Sequence, residues 1–107
     1  MKTSEINFKV TVDDDHLPLN IKWEAKDAGE TSDSKAVMIA LWDAKENNTL
    51  RIDLWTKDMS VEEMRKFYIQ NMMTLSDSYI RATSDTETAE AVKTVVSSIG
   101  KRMGILQ

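Results

Sequence analysis

The segment that most constrains the fold is Ala36–Asp43, a run that carries apolar side chains at both alternating positions. Successive side chains of a strand point to opposite faces, so this run places hydrophobic groups on both faces of a sheet. A strand with two apolar faces needs cover on each, and a small soluble monomer has few elements to supply it. The segment therefore predicts a buried strand together with a surface that something else must cover.

A second strand, Thr49–Thr56, follows a turn at Lys45–Asn48. A two-residue turn and a four-residue loop there give the same hairpin register, because side chains alternate with period two. The register pairs Trp42 with Arg51, Ala40 with Asp53 and Met38 with Trp55. The opposite face is aliphatic and is predicted to be the core face that carries the helices; it holds Val37, Ile39, Leu41, Leu50, Ile52 and Leu54.

Two alternating strands, residues 6–12 and 19–25, precede the hairpin and predict a hairpin of their own. Between them and Ala36 lies Asp27–Lys35, a polar stretch with a glycine and no periodicity, which predicts a surface loop. Four strands in succession favour an antiparallel sheet.

The C-terminal half changes to helical periodicity. Ser60 and Glu63 fit a capping box at the start of a helix that reaches about Ala82, and Ser84 with Glu87 predicts the cap of a second helix. The expected architecture is α+β, a four-stranded antiparallel sheet followed by two helices (ββββαα) packed on one face. Its length of 107 residues predicts a single domain over residues 1–107.

The non-aliphatic face of the predicted hairpin is a candidate interaction surface. Its large side chains are Met38, Trp42, Arg51 and Trp55, and tryptophan and arginine are enriched at binding hot spots. Three interpretations stay open. Segments of the same chain cover the face, copies of the chain associate through it or through the wide apolar face of the first helix, or it binds another molecule.

Catalytic, cofactor and metal chemistry are not predicted. The only histidine, His16, follows three aspartates in a turn that lacks the spacing of a calcium loop. Glu62 and Glu63 are explained by the helix start, and Ser32 and Ser34 have no nearby base for a nucleophile.

Composition excludes further classes of function. The net charge of −4 argues against a nucleic-acid partner, and the absence of cysteine suits a reducing compartment. The N-terminus has no apolar leader and no later run approaches a membrane span, so we expect a cytoplasmic protein without membrane insertion.

Several segments resemble the gliding motility protein GldC family of the Bacteroidetes lineage. The resemblance is carried by Trp23–Ala25, Asp27–Gly29, Met38, Trp42, Asp43 and above all LRIDLWTKDM at Leu50–Met59. It implies a small soluble accessory protein of the gliding machinery and supplies no functional residues. A weaker, architectural likeness is to the SecB export chaperone, which forms tetramers and holds unfolded clients.

The function expected from the sequence is that of a non-enzymatic adaptor that forms a homo-oligomer and binds protein partners of the gliding machinery. The alternatives are a SecB-like client-holding chaperone and a small-molecule-binding domain or enzyme that uses the long loop.

Overall fold

The structure, a computed structural model, describes residues 1–107. The chain folds into two compact units, residues 1–59 and 60–107. The first unit holds all the strands and the second holds both helices. The strands are β1 (Ile6–Val12), β2 (Pro18–Ala25), β3 (Glu30–Ser34), β4 (Ala36–Asp43) and β5 (Asn48–Trp55), and the helices are α1 (Val61–Thr83) and α2 (Thr86–Arg102).

The predicted α+β class, with antiparallel strands followed by two helices, is confirmed, but the single four-stranded sheet is wrong. The strands form a three-stranded sheet in the order β1-β2-β3 and a two-stranded sheet of β4 and β5. The packing of both helices on one sheet face and the single domain stay predictions.

The three-stranded sheet has one apolar and one polar face. Phe8 lies opposite Trp23 and Val10 opposite Ile21, which is fully buried. The other face carries polar pairs such as Lys9 with Lys22. The predicted hairpin of the first two strands is therefore confirmed.

The predicted surface loop at Asp27–Lys35 is wrong, because most of it is β3. A short 3-10 turn, Lys26–Ala28, ends at Gly29, whose positive φ of 67° reverses the chain. Glu30–Ser34 then pairs with β2 and forms an edge of the three-stranded sheet. Since only Lys35 separates β3 from β4, the chain passes directly from one sheet to the other.

A short segment after β5 fastens the two sheets together. The Thr56 amide N–H donates to the Lys35 carbonyl oxygen at 2.7 Å, and the Lys57 amide N–H donates to the Pro18 carbonyl oxygen at 3.3 Å. The Lys57 ammonium also forms an ion pair with Asp13 in the turn between β1 and β2. This hydrogen bond from Lys57, ahead of the backbone amide of Leu17, lowers the pKa of Asp13.

The helices begin at side-chain caps. The predicted capping box of α1 is confirmed, with the Ser60 hydroxyl accepting from the Glu63 amide and the Glu63 carboxylate accepting from the Ser60 amide, both at 3.0 Å. The predicted cap at Ser84 is wrong, because Ser84 ends α1 with a left-handed φ of 62°. Asp85 caps α2 instead, accepting from the Thr88 amide at 3.1 Å.

The C-terminus of α2 closes in a Schellman motif. Gly104, at a φ of 75°, donates from its amide to the Lys101 carbonyl oxygen, and the Ile105 amide donates to that of Gly100. Leu106 then folds over Gly100 so closely that a Cβ there would lie 2.6 Å from Leu106 Cδ1.

Candidate functional site

The four predicted interface residues share one face of the β4–β5 hairpin, which we call the aromatic strip (Met38, Trp42, Arg51 and Trp55). Trp42 is 68% exposed and Trp55 is 55% exposed. Met38 is half-buried. The strip therefore presents two large aromatic side chains that are not part of a core.

The predicted partners across the strands are wrong by two residues. Asp43 pairs with Asn48, so Trp42 lies opposite Thr49, and Arg51 lies opposite Ala40. The reason is the turn, in which the amide of Asn47 donates to the Asp43 carbonyl oxygen at 2.8 Å and the four residues 44–47 form the loop.

A shift of two residues leaves every side chain on its predicted face, because side chains alternate with period two. The remaining pairs on the strip's face are Met38 with Asp53 and Ala36 with Trp55. Trp42 and Trp55 therefore lie at opposite ends of the hairpin, about 20 Å apart along the strand.

The middle of the strip is an ordered ion pair. Arg51 Nη2 lies 3.0 Å from Asp53 Oδ1, and Arg51 Nε lies 3.3 Å from Asp53 Oδ2. This two-point hydrogen bonding raises the pKa of Arg51. The two contacts orient the guanidinium along the strand towards Asp53.

The opposite face of the hairpin was predicted to be core, and this is wrong for three of its six residues. Leu41, Leu50 and Ile52 are each about half exposed. They cluster towards the turn, whereas Val37, Ile39 and Leu54 at the other end are half-buried. A two-stranded sheet has too few neighbouring side chains to cover its own aliphatic face.

The helical unit presents a second candidate surface. An apolar groove of about 310 Å³ runs along one flank of the α1–α2 hairpin. No charged residue lines it; the lining side chains are Met72, Leu75, Ser76, Tyr79, Thr88, Ala89 and Val92. Sequence periodicity identified most of the α1 contribution as one wide apolar face, but it did not separate the buried stripe from the exposed one.

The other flank of the helical hairpin is charged. Lys93 forms an ion pair with Asp77 across the two helices, and this hydrogen bond raises the pKa of Lys93. Glu90 and Lys101 line the same flank. The two flanks therefore differ in the class of surface that each can contact.

The residues considered for catalysis or metal binding do not converge. No group of three histidine, cysteine or acidic side chains is placed to hold a metal ion. His16 lies in the turn with a φ of 63°, where its amide donates to the Asp13 carbonyl oxygen at 3.0 Å. Ser34, in the stretch predicted as a loop, lines an open cleft of about 310 Å³ with Asp33 and Asp58.

Comparison with known proteins identifies a family. Residues 18–105 match the protein family described as "Gliding motility-associated protein GldC-like". The chain belongs to this GldC-like family. No curated protein and no solved structure matches it, so the architectural resemblance to SecB is not confirmed.

Family membership confirms the resemblance to GldC and associates the chain with gliding motility. The segment that carried most of that resemblance, Leu50–Met59, comprises most of β5 and the residues that fasten the two sheets. In this GldC-like protein the segment therefore has a structural role as well as supplying Arg51 and Trp55. Neither helix is long and apolar enough to cross a membrane.

Proposed function

We propose that this GldC-like protein is a non-enzymatic, cytoplasmic accessory protein of the gliding machinery that forms a homo-oligomer and acts by binding other proteins. The aromatic strip is its contact surface for a machinery protein. The observation that carries this proposal is the exposure of Trp42 and Trp55 on either side of the ordered Arg51–Asp53 pair.

Energetics support a binding role for the strip. Burying an exposed tryptophan contributes the largest apolar area of any side chain, and the rigid indole loses little conformational entropy. Arg51 is already oriented by Asp53, so a partner would not have to immobilise a free arginine side chain. A partner with apolar pockets about 20 Å apart and an acidic or carbonyl group between them would fit the strip.

The test compares a double variant, Trp42→Ala with Trp55→Ala, against a control of two exposed side chains on the polar face of the first sheet, Lys22→Ala with Lys9→Ala. Each variant is produced in the native organism and crosslinked, and the captured proteins are identified by mass spectrometry. We expect the wild type and the control to capture the same defined partners and the tryptophan variant to lose them. Equal capture by all three would overturn the role of the strip.

A client-holding chaperone is the second candidate, and one observation favours it. The half-exposed aliphatic cluster of Leu41, Leu50 and Ile52 offers a non-directional surface for extended apolar segments. The chaperone role predicts suppression of aggregation for unrelated unfolded proteins, whereas an adaptor has no effect on them. Light scattering of a chemically denatured enzyme diluted into buffer, with and without the protein, separates the two.

A further inference from the structure

We propose that two copies of this chain associate through their helical units, with the apolar flanks of α1 and α2 facing those of the second copy to form a four-helix bundle. This assignment rests on the proposed function and deepens it, because it names the surface that makes the homo-oligomer and leaves the aromatic strip for a different protein.

The first observation is the spacing of exposed apolar residues on α1. Val61, Tyr68 and Leu75 recur every seven residues and are among the most exposed apolar side chains of the helical unit. They form a stripe separate from the buried positions Ile69 and Ser76. A seven-residue repeat keeps one stripe facing a neighbouring helix over its whole length, so the stripe indicates a helical partner rather than a sheet or an extended peptide.

The second helix carries a matching exposed stripe. Val92, Val95 and Ile99 are spaced by three and four residues, whereas the buried positions of α2 are Ala89, Val96 and Gly100. Each helix thus has an exposed apolar stripe that is separate from its buried positions. We call Val61, Tyr68, Leu75, Tyr79, Val92, Val95 and Ile99 together the outer stripe.

The two halves of the outer stripe face the same side. Leu75 and Tyr79 of α1 line the apolar groove together with Val92 of α2. The charged residues Glu90, Lys93 and Lys101 line the other flank. One flank of the helical hairpin is therefore suited to burial and the other to solvent, which is the arrangement of half a four-helix bundle.

The area available is sufficient for a dimer. The outer-stripe side chains are between 37% and 70% exposed. At these fractions they expose on the order of 600 Å² per copy, so two copies would bury about 1,200 Å², the lower end of stable interfaces. Helices of 23 and 17 residues are about 34 and 25 Å long, enough to carry such a contact.

A second copy suits the surface for two further reasons. A two-fold axis places an uncharged apolar stripe against itself, so no charge is left unpaired in the contact. The one aromatic hydroxyl in the groove, that of Tyr79, already donates to Asp85 Oδ2 at 2.8 Å. Burial of the Tyr79 ring therefore leaves its hydroxyl paired, whereas an orphaned donor at this position would oppose association.

The test is the mass of the purified protein by size-exclusion chromatography with light scattering. Leu75→Lys and Val95→Lys each place a charge in the outer stripe, and Thr94→Lys is the matched control on the charged flank, where Thr94 is exposed. We expect the wild type and Thr94→Lys at twice the 12.2 kDa of one chain and both stripe variants at the mass of a single chain. Unchanged circular dichroism shows that the variants remain folded.

Two outcomes would overturn the proposal. A monomeric wild type means that the outer stripe does not pair two copies, and a dimer that survives both lysine substitutions means that copies meet elsewhere. A monomeric wild type would also remove the homo-oligomer from the proposed function, whereas partner binding by the aromatic strip is tested separately. The double tryptophan variant should remain a dimer while it loses its partners. If that variant is instead monomeric and Leu75→Lys is still a dimer, the aromatic strip makes the self-association and the bundle is contradicted.

Discussion

The side chain of Thr56 lies where the two sheets meet and is only 3% exposed. Its hydroxyl is 2.6 Å from Asp58 Oδ1 and 3.0 Å from the Lys35 carbonyl oxygen. Thr56→Val keeps the shape and removes the donor, so we expect the free energy of unfolding to fall by about 1–2 kcal/mol. Urea unfolding followed by tryptophan fluorescence measures it. Thr49→Val, at an exposed position of β5, is the control, and equal stability of the two variants would contradict a structural role for Thr56.

The carboxylate of Asp85 makes the helical unit sensitive to acid. Hydrogen bonds from the side chain and amide of Thr88, and then from the Tyr79 hydroxyl, lower its pKa. A carboxylate with a lowered folded pKa stabilises the fold above its unfolded pKa of about 3.9, and this stabilisation is lost as the pH falls through the folded pKa.

Asp85→Asn keeps a capping side chain but removes the titration. We expect the free energy of unfolding of the wild type to fall more steeply below about pH 4 than that of the variant. Unfolding curves recorded by circular dichroism between pH 2 and pH 7 provide the comparison. The free energy of unfolding of Asp85→Asn will still fall somewhat at low pH, because the pKa of Asp13 is also lowered. Parallel pH profiles for the two proteins would show that the cap does not carry the effect.

At the scale of elements, the turn between β4 and β5 depends on Asn47, which has a left-handed φ of 52°. Asparagine and glycine tolerate this conformation and a β-branched residue does not. We expect Asn47→Val to lower the free energy of unfolding by about 1–2 kcal/mol, and Asn47→Gly to leave it nearly unchanged. The urea midpoints of the wild type and the two variants measure these changes in stability. Equal midpoints would mean that the loop does not hold the register.

The same turn shows how far the sequence predicts the hairpin. Alternation assigned every residue of β4 and β5 to its face, because a face depends only on period two. Alternation could not fix the register of the hairpin. Asn47 and Asn48 are both suited to a turn, and the register depends on which of them adopts positive φ. The Asp43 carboxylate, which accepts from the Lys45 amide at 3.3 Å, helps to close the loop one residue earlier.

β3 and the α2 cap were missed for other physical reasons. Glu30–Ser34 has no apolar alternation, and backbone pairing to β2 alone makes it a strand. Ser84 and Asp85 are the only residues between two helices, so one had to end α1 and the other to cap α2. The α1 capping box, in contrast, is local and was readable, because both of its partners lie within four residues.

At the scale of the whole molecule, each unit has apolar surface that remains exposed. The sheets expose Trp42, Trp55 and an aliphatic cluster, and the helices expose the outer stripe. Membership of the GldC-like family associates the chain with gliding motility, and these surfaces suggest that its contribution there is association. On the proposed assignments, the outer stripe contacts a second copy and the aromatic strip contacts another protein.

Self-association predicts that stability depends on protein concentration. Because a dimer contact forms only between folded chains, mass action stabilises the fold by about 2.7 kcal/mol per dimer, or about 1.4 kcal/mol per chain, for a hundredfold rise in concentration. We expect the thermal midpoint of the wild type to rise by several degrees between about 1 and 100 μM, measured by differential scanning fluorimetry and checked by circular dichroism. The midpoint of Leu75→Lys should not move, because a charged outer stripe cannot pair. A wild-type midpoint that is the same at both concentrations would contradict association of folded copies, whichever surface was assigned to it.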